Sequence, residues 1–223
     1  MPSKKSPFLS AAGTTFQILK ALVDEVLSQG GDDESLRLIL TDEAVRKSVA
    51  NILVNAGKPV VVPEKPKLLA PLDTVAIPAT VEKFVVAKHF KDGTTDGVTC
   101  WVGSNFQSWF DAKVEDPMSA VTLRGHQLLR SSVDGPIIAE LGGEAKVETT
   151  MSAIWALLKK QSKGQTGTLL VNGYANIFYV RDAKGVLRAV GVDWNGGGWG
   201  VAASPVEGPS TWDGDGRVFS RDS

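Results

Sequence analysis

Residues 176–223 read NIFYVRDAKGVLRAVGVDWNGGGWGVAASPVEGPSTWDGDGRVFSRDS. Short runs rich in Val, Ile, Phe and Tyr are separated by Asp182–Gly185, Asn195–Gly198 and Asp213–Gly216, the punctuation of strands joined by tight turns. The stretch therefore predicts an antiparallel meander whose turns carry Trp194, Trp199 and Trp212 beside Asp193, Asp213 and Asp215. Strands joined this closely leave no room for crossover helices, which favours an α+β protein with a mostly antiparallel sheet over a βαβ architecture.

Working back from the meander, TTMSAIWALLKKQSKG (149–164) is a helix. Thr149 or Thr150 caps it, Met151, Ile154, Trp155 and Leu158 share one face, Lys159 and Lys160 suit its negative end, and Gly164 stops it. A second helix is expected after Ser104, with Phe106, Trp109 and Phe110 on one face, ending by Asp116 and Pro117. KFVVAKHF (83–90), GVTCWVG (97–103), AVTLRGHQLLRS (120–131) and DGPIIAEL (134–141) read as strands. Residues 81–223 thus form one α+β domain, a sheet with two packed helices.

Five of the eleven prolines fall within residues 57–80, a density that excludes a central strand or helix interior, so residues 59–80 are expected to be an extended connector. Residues 1–58 show helical periodicity in three pieces. The first carries Phe16, Leu19, Leu22, Val23, Val26 and Leu27 and opens with a capping-box spacing at Thr14 and Gln17; the second is ESLRLIL; the third is capped by Thr41 and carries Val45, Val49, Ile52 and Leu53. Helices this short need a partner surface: each other, the rest of the chain, or a second copy in a homo-oligomer.

Composition narrows the function classes. A hydrophobic fraction of 43% with 22% charged residues is that of an ordinary globular chain. The single Cys100 excludes an intramolecular disulfide. The N-terminus lacks a signal-peptide pattern and no window has the length and apolarity of a membrane span, so a cytoplasmic location is expected. A net charge of −1 gives no field to attract nucleic acid. The third N-terminal helix bears Arg46, Lys47, Asn51 and Asn55, a conceivable DNA-reading face, but residues 1–58 hold seven basic and seven acidic side chains.

Three constellations could carry chemistry. Cys100 and His126, with Asp134 or Asp193 to orient the imidazole, are the nucleophile and base pairing the composition permits. The Cys-Trp of GVTCWVG resembles the nucleophile segment of transglutaminase-like folds, but activated thiolates sit at helix N-termini and here the helix starts about one turn later, at Ser104. TWDGDGRVFSRD can be laid on a calcium loop, yet Thr211 stands where the first acidic ligand belongs and Asp222 where a bidentate glutamate belongs. With two histidines and one cysteine, neither a metal site nor any other cofactor is expected. Flat aromatic faces beside carboxylates are what a sugar, a peptide or a stacked base would use, which makes Trp194, Trp199, Trp212, Asp193, Asp213 and Asp215 the candidate ligand-binding set.

The string IFYVRDAKGVLRAVGVDW, followed by GW and RVFSR, resembles the C-terminal region of uncharacterised proteins from bacterial candidate phyla. The resemblance implies a bacterial origin and no particular reaction. The sequence thus favours a non-catalytic binding or interaction protein whose partner is a protein or a small molecule, with a thiol-dependent hydrolase or transferase and a DNA-binding regulator as the alternatives.

Overall fold

A computed structural model describes residues 7–54 and 66–222. The chain divides into two compact units, residues 1–64 and 65–223.

The first unit holds α1 (Pro7–Ser28), α2 (Asp33–Thr41) and α3 (Glu43–Val54). Helix α1 begins before the expected capping box, so Thr14 lies about two turns inside it. Asp42 replaces Thr41 as the cap of α3: its carboxylate accepts from the Ala44 and Val45 amides at 2.7 and 3.2 Å, while the Thr41 hydroxyl turns back to the Arg37 carbonyl. Leu22, Val23 and Val26 are half-buried, whereas Phe16, Leu19, Leu27, Leu40, Ile52 and Val54 are exposed. Arg46 is tied to the Leu40 carbonyl and Lys47 to Glu43, so these two cations serve contacts within the unit. Asn55, also a candidate on that face, lies outside the described residues.

The second unit is α+β. Ten strands run in chain order: β1 (Leu69–Ile77), β2 (Phe84–Val85), β3 (Gly93–Thr95), β4 (Val98–Val102), β5 (Val114–Glu115), β6 (Val121–Leu128), β7 (Asn176–Arg181), β8 (Leu187–Trp194), β9 (Trp199–Pro205) and β10 (Arg217–Arg221). Eight form one sheet in the order β1-β6-β10-β7-β8-β9-β4-β3, and β2 pairs with β5. All pairings are antiparallel except β10 with β7 and β4 with β9. The expected meander exists as β7-β8-β9. The last strand departs from it, crossing back to lie between β6 and β7.

Five helices pack on this sheet: α4 (Val86–His89), α5 (Ser104–Phe110), α6 (Asp134–Glu140), α7 (Glu144–Val147) and α8 (Met151–Lys160). One face is covered by α4, α5 and α8, whose Val86, Phe106, Phe110, Ile154 and Leu158 meet Phe178, Val190, Trp199 and Phe219 of the sheet. The other face is covered by α6 and α7, whose Ile137, Ile138 and Val147 meet Ile177, Tyr179, Ala189 and Val218. Because both faces are covered, β7 is buried along Asn176–Val180.

Three sequence expectations are corrected here. The second half of the 59–80 connector is strand β1, which its prolines confine to the sheet edge, with a bulge between Pro71 and Thr74. DGPIIAEL is helix α6, where Pro136 sits in the first turn and lacks only an N–H that no helical partner would have used. KFVVAKHF breaks after Val85 into α4. No helix of the described residues is long and apolar enough to cross a membrane.

Candidate functional site

The thiol reading fails on geometry. Cys100 is 1% exposed on the face covered by α4, α5 and α8, and burial pushes its thiol up to about 12. His126 lies on β6, five strand spacings away, roughly 24 Å at 4.8 Å per strand, and its alternation with Leu128 places it on the other face. His126 instead shares a 2.9 Å hydrogen bond through Nε2 with the Ser220 hydroxyl, which is itself buried. Burial, aided by Arg124, lowers the His126 pKa. Asp134 orients no imidazole: its Oδ1 accepts from the Tyr179 hydroxyl at 2.8 Å and from the Trp212 indole N–H at 2.7 Å.

The three tryptophans do not form one exposed platform. Trp199 is fully buried and donates its indole N–H to the Gln161 carbonyl at 3.2 Å. Trp194 packs edge-on against it, with ring centroids 5.2 Å apart, and lies over Gly164. The alternation of β9 explains this: Trp199, Val201 and Ala203 face the core while Gly200, Ala202 and Ser204 face away.

Trp212 is different. It is half-buried, and it lines a cavity of about 230 Å³ together with Asp193, Asp213, Tyr174 and the small residues Gly173, Ala175 and Gly216. Three of the six expected ligand-binding residues therefore meet: Asp193, Trp212 and Asp213. Asp215 is exposed at positive φ in the same turn but is not among the cavity's lining residues.

Each wall of the cavity is held by the fold. Asp134 fixes the Trp212 ring from below, and Gly191 leaves space for it, since a β-carbon there would lie 3.0 Å from the indole. Ser132 and Trp212 exchange backbone hydrogen bonds of 2.8 and 3.1 Å, which pin the Asp213 turn to the end of β6. Asn176, fully buried, bonds both backbone polar groups of Leu170 and the Val192 carbonyl, anchoring the loop that delivers Tyr174. Asp193 is flanked by Gly200, where a β-carbon would come within 3.0 Å of its carboxylate.

The cavity is acidic and uncompensated. Burial holds Asp193 above the ordinary carboxylate value, a push that a hydrogen bond with Asn195 partly offsets. Among the described residues neither Asp193 nor Asp213 has a salt-bridge partner, and no lysine, arginine or histidine lines the cavity. No group of three or more His, Cys, Asp or Glu suited to a metal ion occurs among the described residues. Tyr174 escaped the sequence reading, although an aromatic beside a glycine in NGYAN was the available signal.

Comparisons with protein-family models, with curated proteins and with solved structures found no match.

Proposed function

We propose that this protein is a non-catalytic binding module whose recognition site is the cavity of Tyr174, Asp193, Trp212 and Asp213. Its ligand presents an organic cation, an amine or a guanidinium group, from a small molecule or a peptide side chain.

The observation that carries this reading is charge balance: two carboxylates and two aromatic rings line a cavity that contains no cation of its own. A half-buried carboxylate with no opposite charge beside it is unfavourable, and a bound cation supplies the missing charge. The tryptophan and tyrosine rings add cation–π attraction, about 0.5–2 kcal/mol per ring depending on desolvation. A guanidinium group also matches a carboxylate as a planar fork. The site contains no nucleophile paired with a base, which is why binding is preferred to turnover.

Titrating methylguanidinium into the protein and following the Trp212 indole N–H by NMR tests this reading. A saturable shift of that signal, accompanied by the Asp213 and Tyr174 amides, is expected. Glucose, polar but neutral, should leave the signals in place. An equal response to glucose, or a cation response confined to other tryptophans, would refute the charge argument.

A further inference from the structure

A second cavity, of about 720 Å³, lies against the other side of β10. Arg217 and Arg124 line it, with Gly125 of β6, Leu72 and Asp73 at the β1 bulge, and Thr168 from the loop after α8. The two guanidinium groups differ in one respect. Arg124 donates to Asp222 at 2.8 Å and to the Leu72 carbonyl at 3.2 Å. Among the described residues, Arg217 donates through Nη1 to the Thr168 carbonyl alone, and its buried Nε has no hydrogen-bond partner.

That isolation sets Arg217 apart from the arginines of the neighbouring strands. Arg181 is paired with Glu144 and Glu148 at 2.9 and 3.0 Å, and Arg188 with Asp182 at 2.9 Å beneath a cation–π contact with Trp109. No carboxylate reaches Arg217 among the described residues, and Asp73 at the cavity wall forms no ion pair with it. Burial accordingly lowers the Arg217 pKa with no acidic neighbour to offset it. The residue at 125 leaves the space open: a β-carbon there would touch the Arg217 stem at 3.5 Å.

A half-buried guanidinium beside a cavity, with no carboxylate on its remaining Nη N–H groups, is a site for a planar or tetrahedral oxyanion. The geometry points to an oxyanion site in which Arg217 holds the phosphate or carboxylate end of a small molecule. The cavity exceeds the size of either group alone, so the remainder of the ligand lies over Gly125 and the β1 bulge. This site uses no residue of the Asp193 cavity and stands or falls independently of it.

The test uses the full chain at constant ionic strength, with sodium chloride as the balancing salt. Inorganic phosphate and acetate are titrated separately, and both the thermal midpoint and the Arg217 Nε–H NMR signal are followed. A saturable shift of the Arg217 signal and a rising midpoint are expected with at least one of them. Tighter saturation by phosphate assigns a phosphate end, and tighter saturation by acetate assigns a carboxylate end. In Arg217→Gln the half-saturating concentration should rise at least tenfold, while Asp193→Asn should leave it unchanged. If neither anion moves the Arg217 signal beyond the chloride control, or if Arg217→Gln responds as the parent does, the proposal is overturned. Should Arg217→Gln fail to fold, the signal in the unaltered protein decides alone.

Discussion

A methyl group at Gly164 would lie 2.1 Å from the Trp194 ring, and the residue's φ is +65°. Gly164→Ala therefore combines a left-handed backbone, about 1–2 kcal/mol, with overpacking, about 1–3 kcal/mol. Denaturant unfolding should show a loss of about 2–5 kcal/mol, and a change below about 0.5 kcal/mol would show that Trp194 is free to move aside. Cys100 makes the opposite kind of prediction. With its thiol pushed up to about 12 and 1% exposed, labelling by a thiol reagent at pH 7 should be at least about 1,000-fold slower than in the unfolded chain. Fast labelling of the folded protein would restore an activated cysteine. At this scale Asp193, Trp212 and Asp213 were legible because turn chemistry marks them, and Trp199 was within reach of strand parity. Asp134 was not, since its partners Tyr179 and Trp212 stand 45 and 78 residues away.

Helix α8 is held at its start by a residue from another element. Glu115, 8% exposed on β5, accepts from the Met151 and Ser152 amides at 2.8 and 2.9 Å, and the Thr150 hydroxyl accepts from Ala153. Both are groups a helix start leaves unpaired, and a carboxylate there also suits the positive end of the helix. Glu115→Ala should cost about 2–4 kcal/mol from charge-assisted hydrogen bonds and the dipole contribution. Glu115→Gln should cost visibly less, and equal losses in the two variants would assign the effect to packing alone. The helix itself was readable from local periodicity, with its cap narrowed to Thr149 or Thr150, as were β4, β6 and the β7-β8-β9 meander. Two elements resist a local reading, each for its own reason. In α6 the Ile137–Ile138 pair outweighed the Asp-Gly-Pro start, and the placement of β10 beside β6 depends on pairing with residues about 90 positions earlier.

Across the whole molecule, β1 decides where the second unit begins. A fragment of residues 65–223 should unfold cooperatively by itself. A fragment of residues 81–223 should not, because it lacks buried Leu68, Leu69 and Ile77 and leaves β6 as a bare edge. Those three side chains contribute about 1.5–3 kcal/mol each, a large share of a total of about 5–15 kcal/mol. Cooperative melting of the shorter fragment would return β1 to the role of connector.

Charge links stability to recognition at the acidic cavity. Asp193 has its pKa raised in the folded state, so its favourable contribution is complete below the unfolded value of 3.8 and is lost as pH rises through the folded value. Near neutrality the ionised carboxylate is thus held at a cost to stability, as a binding residue can be. Asp193→Asn should stabilise the protein at pH 7, by about 0.5–2 kcal/mol, and the gain should vanish near pH 3. Cation binding runs the other way, weakening as pH falls through the raised Asp193 value. The most direct measurement is the calorimetric affinity of methylguanidinium for the unaltered protein and for Asp193→Asn at pH 7. The cavity reading predicts saturable one-to-one binding that weakens at least tenfold, about 1.4 kcal/mol, in the variant. Equal affinities in the two proteins, or no saturable binding to the unaltered one, would contradict it.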